Sequence, residues 1–369
     1  MKKSKRLLIF HPTIAPYRID FFNDISNSFN TRVCLRYRNL RSQKFDYAAI
    51  SAQFQFEPFY QDSNIKGYSR KFYWKHLDAF DPDVVLVEEF SVGTLYVLMH
   101  RFLKRKKYKI ISICDDSYNM VAEHNDFSFA HRIARRVVVP LLDGLILVEP
   151  QVAEWYNEHY GKGTFFPIIK PDEKARSEYQ KILPLTQKGV EQYQLLGKRV
   201  FLFVGRLVAL KNVDSAIRAF AKMDQEENIL VIVGDGPERE KLMSLADELG
   251  ANTLFTGRLE GDELNVWYNI AQVFILPSYQ EPFGAVTNEA LLAGCKVLVS
   301  NNAGSKCLVE NGKNGYKVNP NDVNDISAKM LLISNEVEPL KKVVLKKNEM
   351  LHQYDELINK VIKYIGDFR

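Results

Sequence analysis

Short, almost wholly apolar runs rich in β-branched residues alternate with amphipathic stretches along the whole 369-residue chain. A strand that is apolar on both sides needs cover on both sides, which is the condition of a parallel sheet with helices above and below it. In the first half the pattern predicts strands at Arg6–Phe10, Arg32–Arg36, Val84–Val87, Lys109–Cys114, Gly144–Val148 and Thr164–Ile168. Helices are expected near Arg18–Phe29, Val92–Lys104, Phe129–Leu141 and Gln151–His159. The second half predicts strands at Val200–Val204, Leu230–Val233, Thr253–Thr256, Val273–Leu276 and Lys296–Ser300. Its helices fall at Val213–Met223, Arg239–Glu248, Asp262–Ala271, Ala285–Ala293 and Asp325–Ile333. The fold class that follows is α/β, with two doubly wound, Rossmann-like domains in tandem. In such sheets ligands gather at the carboxyl ends of the strands.

The chain is long enough for two ordinary domains, and we expect boundaries at 1–170 and 171–349. Lys170–Lys198, with Pro171 and Pro184, reads as a linker in its earlier part and a helix in its later part. Glu336–Arg369 reads as helical. Its last turns space Tyr354, Leu357, Ile358, Val361 and Ile365 along one face, so residues 350–369 are expected to pack back on the first domain. With 46% apolar and 26% charged residues, the composition excludes wholesale disorder and fibrous repeats.

Phe90–Leu103 contains His100 and Arg101, and Val137–Val148 is broken by Pro140 and Asp143, so neither is a membrane span. The basic start Met1–Arg6 precedes too short an apolar run for a signal peptide. Cys34, Cys114, Cys295 and Cys307 are far apart, which points to buried thiols in a reducing compartment and a cytoplasmic location. Residues 1–198 carry eight more basic than acidic side chains, whereas residues 199–369 carry three fewer. The basic clusters at Lys2–Arg6, Arg101–Lys109 and Arg132–Arg136 suit a solvated helix face, an anionic membrane face or an anionic substrate. Nucleic-acid motifs are absent from the sequence, so no nucleic-acid partner is expected.

The most informative stretch runs from Pro277 to Ala290, P-S-Y-Q-E-P-F-G-A-V-T-N-E-A. A strand ends at Leu276, a loop holds Glu281, and a helix begins near Gly284. Free N–H groups at a helix start bind phosphate, and glycine lets a ligand approach the backbone. Glu281 and Glu289 then flank an anion site at a separation of at most roughly 17 Å, enough to bracket a diphosphate with a sugar at each end. An isolated pair at this spacing would be a turn residue and a solvated helix residue. Here it has company. Arg206 and Lys211 follow the strand Val200–Val204, where a planar fork and a point charge suit a diphosphate leaving group, although each alone is as readily a surface charge. Gly234 and Gly236 in V-G-D-G-P read as turn devices, and Phe255–Leu259 ends the next strand, where its backbone groups could serve a nucleotide base.

Taken together, Phe201 to about Pro320 resembles the retaining glycosyltransferases of family 4, which have the two-domain GT-B fold with the domains facing across a cleft. The motifs are V-G-R-L with Lys211, V-G-D-G-P, F-T-G-R-L, E-P-F-G-A-V-T-N-E-A with Gly294, and Ala303-Gly304-Ser305 before Glu310–Gly315. The resemblance implies that Arg206 and Lys211 hold the diphosphate, Glu289 the ribose and Glu281 the donor sugar. It places Phe283, Gly284, Ala285 and Val286 against phosphate and sugar, and Arg258 and Leu259 by the base.

The first half fits less well. A loop that carries two glycines in many members is here His11-Pro12-Thr13-Ile14-Ala15-Pro16-Tyr17-Arg18, a form associated with bacterial surface-polysaccharide transferases. Arg18 is a candidate for steering phosphate, or a solvated first-turn residue. Where many members have a histidine after a middle strand, this chain has Asp115-Asp116, which makes Asp116 the candidate acceptor-side catalytic group and Asp115 a substrate contact. His11, His124 and His131 are possible substitutes. Asp81-Pro82-Asp83, the one D-x-D, precedes its strand and reads as a turn, so no catalytic metal is expected. No cofactor is implied beyond the nucleotide-sugar donor, UDP- or GDP-linked.

The implied activity is retaining transfer of a hexose to a saccharide or lipid-diphosphate-linked saccharide in surface-polysaccharide synthesis, with peripheral contact to an anionic inner membrane face. A sugar-nucleotide epimerase on the same fold and a degenerate, nucleotide-sugar-binding partner of another transferase are the alternatives.

Overall fold

The computed structural model describes residues 5–38, 46–61, 69–122 and 128–368. The chain divides into two compact units, Met1–Ile168 with Tyr354–Arg369, and Ile169–Gln353. Each is a parallel sheet flanked by helices.

The first sheet comprises β1 (Arg6–His11), β2 (Asn30–Leu35), β3 (Pro58–Tyr60), β4 (Val84–Glu88), β5 (Lys109–Cys114), β6 (Gly144–Leu147) and β7 (Thr164–Phe165). Their order is β3-β2-β1-β4-β5-β6-β7, so the chain winds outward one way to β3 and then returns to the other side of β1. The direction reverses between β1 and β4, where adjacent loops diverge and leave a crevice. Leu8, Val85, Ile110 and Leu145, from four neighbouring strands, are fully buried in one core.

The second sheet repeats the plan with β8 (Arg199–Val204), β9 (Asn228–Val233), β10 (Thr253–Gly257), β11 (Val273–Leu276), β12 (Lys296–Ser300) and β13 (Gly315–Val318), in the order β10-β9-β8-β11-β12-β13. Its reversal lies between β8 and β11, the two strands whose following loops carry Arg206 and Glu281.

Three expectations need correction. Thr164–Ile168 is a strand only at Thr164–Phe165, because Pro167 has no N–H to continue the ladder. The expected linker is helical from Asp172 to Lys181 and again from Leu183 to Gln192. Its prolines start these helices, since Pro171 caps the first and Pro184 lies in the first turn of the second, where a missing N–H costs nothing. Residues 336–353 contain no helix. Their backbone is spent on neighbours: Leu340 exchanges hydrogen bonds with Gly197 and Lys198, and Glu349 donates to Leu291 and accepts from Asn314. Only Tyr354–Asp367 is helical, tied to the first unit by the Tyr354 hydroxyl on Asp24 (2.7 Å) and by its ring against Phe166. The short strand β3, the helix Arg70–Phe80 and β13 are additions to the elements expected from sequence.

Candidate functional site

In the second unit, three loops at the carboxyl edge are packed backbone to backbone. Gly234, at φ +147°, sits so close to the β8 loop that a Cβ there would lie 1.8 Å from the Gly205 carbonyl oxygen. Its N–H donates to the Gly257 carbonyl (2.8 Å), and Leu207 donates to that of Asp235 (2.9 Å). The glycines that read as turn devices thus have a second purpose, to let the loops after β8, β9 and β10 touch. The Arg206 side chain stands exposed on this platform and forms no ion pair among the described residues.

Lys211 closes a short 3-10 turn, Ala209–Lys211, and is held in place by its successor. Asn212 adopts the left-handed conformation, is fully buried, and donates its side-chain amide to the carbonyls of Pro277 (3.0 Å) and Pro320 (2.8 Å). Lys211 is thereby aimed at Glu281, with which it forms an ion pair. The Glu281 backbone is fixed in turn by Gly304, which donates to its carbonyl (3.1 Å). Gly284 has φ +91°, and a Cβ there would meet Leu276 at 2.6 Å, so no other residue fits between the Glu281 loop and the helix Val286–Leu292. Phe283 is buried and forms part of the wall, while Gly284, Ala285 and Val286 are half-buried at the rim.

Glu289 sits in the first turn of that helix with both oxygens engaged. Oε2 accepts from the Tyr268 hydroxyl (3.0 Å) and Oε1 pairs with Lys170 (2.7 Å). Burial first, and Glu289 second, push the Tyr268 hydroxyl well above its ordinary range, so it stays a donor. Lys170 and Tyr268 are invisible to sequence reasoning because no local spacing links them to Glu289. Arg258 lies at the edge of the unit, paired with Glu260 (2.9 Å), and Leu259 beside it is half-buried.

The first unit places a different chemistry at its own reversal point. A cavity of about 140 Å³ opens at the ends of β1, β4 and β5, lined by His11, Tyr17, Arg18, Glu88, Glu89 and Asp115 among others. Arg18 is a buried residue and not a solvated one, and it pairs with Asp115, whose side chain is 41% exposed. Burial works against the Arg18 charge, but Asp115, with Tyr17 and Glu88, outweighs it and holds the guanidinium above its usual value. His11 is pushed down to about 4 by burial and by Arg18, so it is neutral at pH 7.

Glu88 and Glu89, which sequence reasoning missed, are both raised to about 7. For Glu88 the causes are burial and then Glu89; for Glu89, burial and then Asp115 and Asp116. The Glu89 backbone is left-handed (φ +44°), a conformation held by its N–H on the Ile113 carbonyl (2.9 Å) and by Thr94 and Ser112 hydroxyls on its own carbonyl. A strained non-glycine residue pinned at a strand end marks a position whose side-chain direction matters.

Asp116 does not take the place expected for it. It is 1% exposed, and its oxygens are taken by His131 (2.9 Å), Arg135 (3.0 Å) and the Tyr156 hydroxyl (2.6 Å). Burial alone would raise its pKa, but the His131 hydrogen bond and the Arg135 charge outweigh it and keep the carboxylate ionised. Asp116 therefore ties the helices Phe129–Val138 and Pro150–Tyr160 to β5, and Asp115 is the member of the pair that reaches the cavity. His131 is committed to Asp116, and His124 lies outside the described residues.

Asp81 and Asp83 form a turn at the opposite edge, where they hold Arg6 and Lys106. Among the described residues no cluster of three or more His, Cys, Asp or Glu side chains could hold a metal ion, and no helix is long and apolar enough to cross a membrane.

Residues 190–350 match the protein family described as Glycosyl transferases group 1. The match lies within the second unit. An uncharacterised glycosyltransferase of Methanocaldococcus jannaschii is 38% identical over 133 residues, which are 35% of this chain and 34% of that protein. A D-inositol 3-phosphate glycosyltransferase of Corynebacterium jeikeium is 35% identical over 212 residues, 53% of this chain and 50% of that one. The matches thus span about a third to a half of the curated relatives' length. Structural likeness reaches further: Anabaena HepE, solved in complex with UDP, superposes with a TM-score of 0.74 at 15% identity, over 98% of this chain and 99% of its own. At that identity the likeness establishes the fold, a GT-B architecture of two parallel-sheet units, across the whole chain.

Proposed function

We propose that this chain is a metal-independent retaining glycosyltransferase that moves a hexose from a nucleotide-diphosphate donor to a saccharide or lipid-linked saccharide in surface-polysaccharide synthesis. The observation that carries the reading is the Lys211–Glu281 pair, clamped by Asn212 beside Gly284 at the reversal point of the unit that matches glycosyl transferases group 1. In this reading Lys211 and Arg206 take the diphosphate charge as the bond from the sugar's anomeric carbon to phosphate oxygen breaks. An acceptor hydroxyl attacks from the same face and passes its proton to the departing phosphate oxygen. Glu281 accepts hydrogen bonds from the donor sugar and Glu289, steadied by Tyr268 and Lys170, from the ribose diol.

Hydrogen-bonding capacity for the acceptor comes from Asp115, Glu88 and Glu89 in the first unit, where carboxyl groups suit a polyol better than a phosphate. Support for a uridine nucleotide comes from HepE, solved with UDP and with UDP-glucose.

Calorimetric titration of UDP and GDP in EDTA, on the wild type and Glu289→Ala, tests the donor site. One nucleotide is expected to bind, with roughly ten- to hundredfold weaker affinity in the variant, the loss of charge-assisted hydrogen bonds to a diol. No binding of either, or equal binding in the variant, overturns the assignment. NMR of the product anomer then decides retention.

A further inference from the structure

The first unit exposes apolar surface that its core does not need. Along the helix Val92–Leu103, Leu95 (41% exposed), Met99 (40%), Phe102 (82%) and Leu103 (58%) face solvent. Along Phe129–Val138 and the turn after it, Phe129 (69%), Ile133 (46%), Val137 (57%) and Leu141 (51%) do the same, at a strict four-residue spacing. The two stripes are neighbours. Both helices lie in crossovers that step the same way, from β4 to β5 and from β5 to β6, and right-handed crossovers of one direction put their helices on one face of the sheet. Arg101 at the end of the first helix donates to the Leu141 carbonyl at the end of the second, and one groove is lined by Leu95, Met99, Phe102 and Leu141 together. Monomeric soluble proteins seldom leave a contiguous apolar face of this kind uncovered.

The unpaired charge around this face has one sign. Neither Ser91–Lys109 nor Ser128–Leu142 contains a single Asp or Glu. Lys106 pairs with Asp81, which also holds Arg6, and Arg101 and Lys109 share Asp143. Lys104, Arg105, Lys107 and Arg136 are exposed and form no ion pair among the described residues. Aromatic and aliphatic side chains projecting between unpaired cations match the requirements of an interfacial helix, with apolar residues in the acyl boundary and basic residues at lipid phosphates.

We infer that the face formed by Val92–Leu103, Phe129–Val138 and the turn through Leu141 docks on the surface of a bilayer containing anionic lipid. The inference uses none of the groups assigned to donor or acceptor, so it stands or falls apart from the enzymatic reading. The apolar stripes supply insertion, and Lys104, Arg105, Lys107 and Arg136 supply the preference for negative headgroups. A second copy of the chain would bring the same cations against each other, which disfavours self-association through this face.

The test is co-sedimentation of the full chain with vesicles of phosphatidylcholine alone or with about one-third phosphatidylglycerol, conditions that separate insertion from charge attraction. Binding is expected on the mixed vesicles, weakening as salt is raised. Lys104→Gln with Lys107→Gln should weaken it about 25-fold, since each cation near an anionic surface contributes roughly fivefold. Phe102→Ser with Phe129→Ser should weaken it at least tenfold. Both pairs change exposed side chains, and unaltered thermal unfolding and nucleotide titration would show that the fold is intact. Failure to sediment with mixed vesicles overturns the proposal, as does equal binding to phosphatidylcholine alone or indifference to both pairs of substitutions. A concentration-dependent dimer in light scattering, abolished by Phe102→Ser, would assign the face to a second copy instead.

Discussion

The two units share a winding plan and place opposite chemistry at the same point of it. In the second, the reversal between β8 and β11 is surrounded by glycine-tight loops, with Arg206 and Lys211 at the rim. In the first, the reversal between β1 and β4 is ringed by Glu88, Glu89 and Asp115, and Arg18, the cation lining its cavity, is already paired. Topology fixes where a ligand can sit, and the side chains after the strands decide which ligand. A site with an exposed arginine favours anions, whereas one with half-neutralised carboxylates favours hydroxyls.

The comparison breaks most visibly at its two aspartate and lysine centres. Asp116→Asn removes the charge that balances Arg135, which is 3% exposed, and a buried ion pair broken on one side costs about 3–5 kcal/mol. Chemical denaturation should show that loss in full. A change below about 1 kcal/mol would mean that Asp116 does not hold the unit together. Lys211→Ala should show the reverse profile. Its pair with Glu281 is less buried than that of Asp116 with Arg135, at 18% and 13% exposed, so stability should fall by less, about 1–3 kcal/mol, while sugar transfer should drop roughly a hundred- to a thousandfold through lost stabilisation of the leaving diphosphate. Loss of stability without loss of turnover would reduce Lys211 to a structural residue.

Much of this architecture is legible in the amino-acid sequence alone. Apolar runs of four to six residues locate most strands to within a residue or two, because strands buried on both faces admit almost nothing else. The candidate donor residues are legible too, since Arg206, Lys211, Glu281 and Glu289 lie on loops and a helix start whose positions the strand pattern already marks. What stays hidden depends on distance along the chain. The partners that hold Glu289, Lys170 and Tyr268, come from separate helices and loops, and Asp115 and Asp116 look alike until burial separates them. Pro171 and Pro184 mislead because proline both breaks helices and begins them, and only the backbone that follows distinguishes the two uses.

The finest test of the contrast concerns protons. Glu89 is raised from 4.5 to about 7 by burial and by Asp115 and Asp116, so between those values the folded chain holds a proton that the unfolded chain has released. Its contribution to stability is therefore complete below about pH 4.5 and declines as the pH rises through 7. Glu89→Gln removes the titration. The variant should match the wild type at about pH 4 and exceed it at about pH 8 by up to about 3 kcal/mol. His11, lowered to about 4, acts with the opposite sign, gaining stability as the pH rises toward 6.5, but it is present in both proteins and cancels in the difference. Denaturant midpoints across this range check the prediction. Parallel curves for the two proteins would mean that Glu89 is solvated and ionised like any surface glutamate. The first unit would then carry a full negative charge at its reversal point, and the contrast between an anion-binding and a hydroxyl-binding edge would rest on Glu88 and Asp115.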